Sequence, residues 1–399
     1  MGKPATSAAQ IRAYRGPALF SYGFRPFFLM GALWAAVAVA LWLPMLAGVI
    51  ALPTTLTPLE WHIHELLYGY VPAVIAGFLL TAVPNWTGRL PVVGPRLMLL
   101  FALWVAGRAA MLTSQWLGAL PATLIDMTFL AALGVFIARE IISAGNTRNL
   151  KVLAVLLLLL AGNGLFHLET VARVGDGHGL RLGIAGTVLL IMLIGGRIIP
   201  SFTRNWLARR GPGRLPATED WFDVTVIAVS GLALAAWVFL PRSAVTALLA
   251  GIAALLNAVR LARWAGQRTL AEPLVLILHV AYAFVPIGFV LAALAIMRPG
   301  IVAPSGAVHG WTAGAIGLMT LAVMTRASLG HTGQPLTATR PIQLIYVAAV
   351  AAAVTRIAAA FGLAPGLMLQ LSATAWVVAF ATFVTVYWPL LTRARASNG

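Results

Sequence analysis

Twelve apolar stretches of membrane-spanning length, joined by short loops, leave this chain few ways to fold. A transmembrane helix needs about 20 consecutive apolar residues. Candidates fall at roughly 27–47, 61–83, 97–113, 119–139, 152–172, 180–199, 222–240, 243–262, 273–296, 307–325, 342–361 and 367–390. In hydrocarbon every backbone N–H and C=O must find an internal partner, so such a chain folds as a helical bundle. Only 9% of the residues are charged, against ~25% in a soluble domain, which leaves almost no material for soluble mass. The expected fold class is an all-α polytopic membrane protein. Its expected parts are a cytoplasmic N-terminal segment (1–26), one transmembrane domain (27–391) and a cytoplasmic tail (392–399).

Charge orients the spans. Cytoplasmic loops collect Lys and Arg. With the N-terminus inside, one side holds Lys3, Arg12, Arg15, Arg25 and most later loop arginines through Arg395, while the other holds only Arg173, Arg181, Arg242 and Arg298. Both termini are therefore expected in the cytoplasm. The stretch Met1–Pro17 lacks the apolar run and cleavage site of a signal peptide, so the first span is expected to be retained. The net charge of +17 does not point to nucleic acid, because the basic residues are scattered between spans, where they meet anionic lipid headgroups. The chain has no cysteine. That excludes disulfides, Cys-ligated iron–sulfur clusters, covalent c-type haem and thiolate-bound copper.

A faint repeat runs through the second, sixth and tenth spans. Each begins near an outer-side histidine (His64, His178, His309) and ends in a polar Thr/Gly/Arg segment. His64 to Thr87 and His309 to Thr332 are both 23 residues. A four-helix period would give three quasi-equivalent units, with sites where units meet.

Five of the seven histidines cluster at that outer edge: His62, His64, His167, His178 and His309. Ionisable groups at membrane depth are costly and usually functional, and imidazole is the commonest metal ligand. His62 and His64 point about 200° apart on a regular helix, so they share one ion only if this turn is irregular. Glu65 lies three residues after His62, on a similar face, as an orienting partner; Tyr68 lies four after His64. An interfacial belt of Trp and His is the plainer reading. His309 is followed by Gly310, Gly314 and Gly317, a flat face that suits either close helix packing or a planar macrocycle with His309 as axial ligand. Asn163 shares a helix face with His167. His178 sits in Gly175-Asp176-Gly177-His178-Gly179, read as an exposed loop and not a ligand. His279 lies nearer the inner side, three before Tyr282, and suits a second cofactor, a proton path or a structural bond. His331 follows the tenth span, near Arg326; Arg197 holds the matching place after the sixth. These arginines either grip propionates or another anion or snorkel as topology markers. Asp126 is the most deeply placed acid, a proton carrier or a partner for Arg108 or Arg356.

Several segments in order resemble the NnrS family from about residue 20 to the C-terminus. They are Phe24-Arg25-Pro26-Phe27-Phe28, Trp61-His62-Ile63-His64-Glu65, Gly77-Phe78-Leu79-Leu80-Thr81-Ala82-Val83-Pro84-Asn85-Trp86-Thr87-Gly88, Gly195-Gly196-Arg197 and Leu329-Gly330-His331-Thr332-Gly333. The resemblance implies a bacterial inner-membrane protein that carries haem and copper and is linked to denitrification and nitric oxide tolerance.

Two functions follow as expectations. The first is a redox haem protein that binds or converts nitric oxide, an oxidoreductase such as a nitric oxide reductase being one form of it. Its haem would be b-type, since no cysteine is available to attach it. Twelve helices in three units also resemble a haem–copper oxidase subunit, a likeness of fold only. In this reading His64 and His309 are the axial ligands, with His62 the next choice on the second span. His167 is a further haem or copper ligand, Glu65 and Tyr68 support them, and Arg197 and Arg326 fit propionates only beside a second cofactor at His279 or His331. The electron donor is left open. The second function is a twelve-span transporter of a metal, haem or small anion, suggested by proline-interrupted helices around Pro72 and Pro286.

Overall fold

The computed structural model describes residues 13–394. Lys3, Arg12 and Arg395, which contribute to the charge bias, lie outside the described residues. Twelve helices are long and apolar enough to cross a membrane. They are α1 (Phe24–Leu46), α2 (Pro58–Thr87), α3 (Pro95–Leu112), α4 (Ala119–Ser143), α5 (Thr147–Ala172), α6 (His178–Leu207), α7 (Trp221–Phe239), α8 (Ala244–Ala262), α9 (Pro273–Met297), α10 (Ser305–Thr332), α11 (Arg340–Ala360) and α12 (Pro365–Thr392). The protein is an all-α multi-pass membrane protein, as the hydropathy pattern predicts.

Local chemistry sets the helix ends that matter most. Helix α2 opens with Thr57-Pro58-Leu59-Glu60. Thr57 and Glu60 form a reciprocal capping box, and Pro58 takes the first helical position, where no N–H is needed. Helix α7 opens the same way on Asp220 and Asp223. The end of α12 is closed from another helix: the buried Arg25 of α1 donates through Nη1 to the carbonyls of Leu391 (3.3 Å) and Arg393 (2.8 Å). A cation there offsets the partial negative charge of the helix C-terminus.

Two helices leave α geometry in mid-course. After His64, α2 passes through a π-helical segment, Glu65–Tyr70, before resuming at Val71. After His309, α10 does the same over Gly310–Ile316. Such segments are rare and recur at functional sites. In both helices a histidine is the last α-helical residue before the π turn. The two spans that the 23-residue spacing paired therefore share a backbone irregularity. Helix α6 carries none among the described residues.

The contacts divide the chain into two units, not three. Among the described residues the first comprises 13–183, 328–334 and 383–394; the second comprises 184–327 and 335–382. Packing groups helices by the shape of their apolar faces, whereas the charge period that suggested three units reports only topology. In the first unit α1 and α2 approach closely because Gly77 faces the ring of Phe28, where a Cβ would stand 2.6 Å from a ring carbon. In the second, α9 and α10 meet at Gly288 and Gly310, with Trp311 fully buried and its indole N–H on the Val285 carbonyl (3.2 Å).

Candidate functional site

In the first unit, four helices bring six polar side chains to one point. His64 and Glu65 come from α2, Arg108 from α3, Asp126 from α4, and Asn163 and His167 from α5. None is more than 5% exposed. Asp126 is the hub. Its Oδ2 accepts from Asn163 Nδ2 (2.8 Å), His167 Nε2 (3.1 Å) and His64 Nε2 (3.2 Å), and its Oδ1 accepts from Arg108 Nη2. Glu65 is the second acceptor. Its Oε1 faces His64 Nδ1 at 2.9 Å, and its Oε2 accepts from Arg108 Nη1 (2.7 Å) and from the indole of Trp34 on α1 (2.8 Å).

The backbone makes this convergence possible. Gly69, inside the π segment, lies against the Arg108 guanidinium; a Cβ there would stand 2.2 Å from Nη1. Its carbonyl accepts from Trp104 of α3 at 2.9 Å. The irregular turn thus opens a notch through which Arg108 reaches Glu65.

Charge decides the resting state of the cluster. Two carboxylates face one guanidinium, which would leave an uncompensated buried negative charge, costly at this depth. His64 lies between the carboxylates with both ring nitrogens on their oxygens, and ionised carboxylates only accept. One proton held among His64, Glu65 and Asp126, beyond that of a neutral imidazole, makes the cluster neutral.

The same atoms form a donor set for a metal. One ligand atom each from His64, Asp126 and His167 lies within 4.8 Å of the others. A tetrahedral ion with bonds of about 2.0 Å has its ligands about 3.3 Å apart, close to the 3.1 and 3.2 Å observed between Asp126 Oδ2 and the two imidazoles. Asp126 would keep Arg108 on its other oxygen as an orienting partner. Two buried polar atoms at the rim, Asn163 Oδ1 and Arg108 Nε, have no protein hydrogen bond.

Several sequence expectations change here. Glu65 bonds His64, not His62, because the side chains diverge where the π turn begins. His62 stacks on Trp42, with ring centroids 3.9 Å apart. Tyr68 is no donor to the cluster: its hydroxyl passes between Gly162 and Gly183 and donates to the Gly179 carbonyl (2.6 Å). Asn163 supports Asp126 as well as sharing a helix with His167. His178 is not in an exposed loop. It opens α6, half-buried, and Glu169 caps that helix through the His178 and Gly179 N–H groups. Asp126 pairs with Arg108, which resolves the choice between Arg108 and Arg356. Trp34 carried no signal in the sequence beyond its aromatic character.

The other expected ligands stand elsewhere. His309 belongs to the second unit, where its Nδ1 donates to the Ser305 carbonyl (2.8 Å). The glycine face after it is filled by helix packing: Gly310 lies on Gly288, Gly314 on Phe284 and Gly317 on Trp376. A macrocycle has no room on that face. His279, also in the second unit, bonds Thr203 Oγ1 at 2.8 Å. The Thr203 hydroxyl donates to the Ile199 carbonyl, so it accepts from His279 Nε2. Arg326 lies over the ring of Phe202, 4.2 Å from its centroid, and Arg197 is half-buried on α6. His331 packs edge-on against Tyr22 in the first unit.

No curated protein and no solved structure matches the chain. The family model described as NnrS protein matches residues 18–395, nearly its whole length, and the chain belongs to the NnrS family.

Proposed function

We propose that this chain is a haem- and copper-containing protein of the bacterial inner membrane, with both termini in the cytoplasm, that binds or converts nitric oxide. The observation that supports the reading best is the buried His64–Asp126–His167 donor set in a chain so poor in polar residues. Two imidazoles and a carboxylate without thiolate suit copper. His64 and His167 would bind through Nε2 and Asp126 through Oδ2. Arg108 and Asn163 would hold the carboxylate in place, and Glu65 would accept the Nδ1 proton of His64 and strengthen it as a donor. Binding at Nε2 displaces a proton from His64, so the cluster stays near neutrality as the cation enters. A haem needs an imidazole with a free nitrogen, which His309 offers at Nε2 while its Nδ1–H donates to the Ser305 carbonyl. When bound, haem and copper supply the redox chemistry that binding or converting nitric oxide requires. Nitric oxide is small, neutral and soluble in lipid, so it reaches a buried site without a polar channel. The membrane lipids and nitric oxide are the partners of this reading, and the electron donor is left open.

The test is the visible spectrum of the detergent-purified protein, oxidised, reduced and reduced with nitric oxide, with haem and copper quantified. The expected result is near-stoichiometric haem, a Soret band that moves with nitric oxide, and copper that falls at least tenfold in Asp126→Asn and His167→Ala. A colourless, metal-free protein after haem and copper supply would overturn the reading in favour of the transporter.

A further inference from the structure

The histidines that precede the two π segments have opposite surroundings. His64 has a carboxylate on each ring nitrogen. His309 has none. Its Nδ1 proton is fixed on the Ser305 carbonyl one turn earlier, so Nε2 carries the free lone pair. This is the tautomer of a metal-ligating histidine.

A cation stands beside it. Helices α10 and α11 pack together: the Ala303 N–H reaches the Ala360 carbonyl (3.0 Å), and a Cβ on Gly306 would lie 3.3 Å from that of Ala360. From this contact His309 is three residues further along α10 and Arg356 four residues back along α11. Both are about 5 Å deeper, and the Arg356 charge acts on the imidazole. Among the described residues no carboxylate or carbonyl accepts from Arg356. The acids of the second unit are Glu219, Asp220, Asp223 and Glu272. They lie at the starts of α7 and α9, about 24 Å along the axis of α9 from the Gly288–Gly310 contact beside His309. An unpaired guanidinium and a free imidazole nitrogen at membrane depth call for a ligand with an electron-deficient centre and its own negative charge.

We propose that His309 and Arg356 form one ligand site in the second unit, separate from the His64–Asp126–His167 site. Nε2 of His309 binds a metal centre, and Arg356 binds a carboxylate attached to it. This rests on the haem reading above: a haem, with iron and propionates, meets both demands. The two cofactors are then divided between the units.

The experiment uses the full-length protein in detergent, with His309→Ala, Arg356→Gln and Arg356→Lys compared for haem content and for the rate of haem transfer to excess apomyoglobin. His309→Ala should lose haem and regain a Soret band when imidazole is added to the buffer. Arg356→Gln should release haem about tenfold faster, the effect of one charge-assisted hydrogen bond, and Arg356→Lys should lie between it and the parent. Copper should be unchanged in all three. Wild-type haem content and spectrum in His309→Ala would overturn the site while leaving the haem reading intact. An unchanged release rate in Arg356→Gln would remove Arg356 from it, and that variant decides the matter if His309→Ala fails to accumulate. A parent protein with copper but no haem would overturn both readings.

Discussion

Among the described residues the protein buries two ionic networks, one in each unit, and they differ in kind. In the second unit Arg260 of α8 donates to Asp223 Oδ1 (2.7 Å), the Met192 carbonyl (3.0 Å) and the Tyr282 hydroxyl (3.0 Å). Tyr282 donates to Asn257 (2.8 Å), and Asn257 donates to Ser230 (2.8 Å). One buried acid meets one buried base, Arg263 also approaches the second Asp223 oxygen at 3.8 Å, and the polar chain runs through Tyr282 and Asn257 to Ser230. In the first unit two acids meet one arginine, a histidine completes the charge, and two imidazoles converge on one oxygen. A network whose acid is fully matched by arginine ties helices together. A network that needs a proton to be neutral, and that gathers three metal-grade donors, is the candidate for a metal site. The difference separates a structural fastening from a site, although both consist of buried Asp and Arg.

This contrast can be broken in graded ways. The largest effect is expected from Arg260→Ala, which strands Asp223. Removing one partner of a buried pair costs about 3–5 kcal/mol, so thermal unfolding in detergent should show a large loss while metal per folded molecule holds. Loss of metal instead would mean the second network also serves the site. Gly69→Ala comes next. Its methyl would displace the Arg108 guanidinium, with an overpacking cost of about 1–3 kcal/mol and a drop in bound copper although no ligand is touched. His62→Ala should cost about 0.5–1.5 kcal/mol through the lost Trp42 stack and leave copper unchanged, which would place His62 outside the site. The smallest effect belongs to the exposed Asp220–Arg263 pair outside the spans. The hydrogen bond from Arg263 holds the Asp220 carboxyl below its usual value. Its slight stabilisation should be present above the ordinary carboxylate pKa, about 3.9, and fade as pH falls through the lowered one. Arg263→Gln should therefore match the parent in acid and differ a little near neutrality, read as unfolding temperature against pH.

The spans were legible because hydropathy is a local property and a bilayer fixes the required length. The 23-residue spacing from His64 and from His309 also marked the two π-bearing helices. What the sequence could not supply is convergence. Asp126 was visible as an expensive acid, but its four partners come from three other helices, and only packing brings them together. The π turns leave no composition signal, so helical spacing pairs Glu65 with His62, two residues from its actual partner His64. Arg356 was visible only as a charge within a span. Its lack of an acid partner emerges once α10 and α11 are paired.

The π segment of α2 also has an evolutionary meaning. Such a turn holds one residue more than the α-helical turn it replaces, and each residue in a helix adds about 100° of rotation. Deleting one residue from Glu65–Tyr70 would restore a regular helix without shortening the span enough to hinder insertion. It would also swing His64 and Glu65 off the Arg108–Asp126 axis while leaving their identities intact. A single codon gained or lost here would therefore switch the site on or off in an otherwise unchanged bundle. Among relatives, a one-residue gap in this turn is a sharper marker of a lost centre than any substitution.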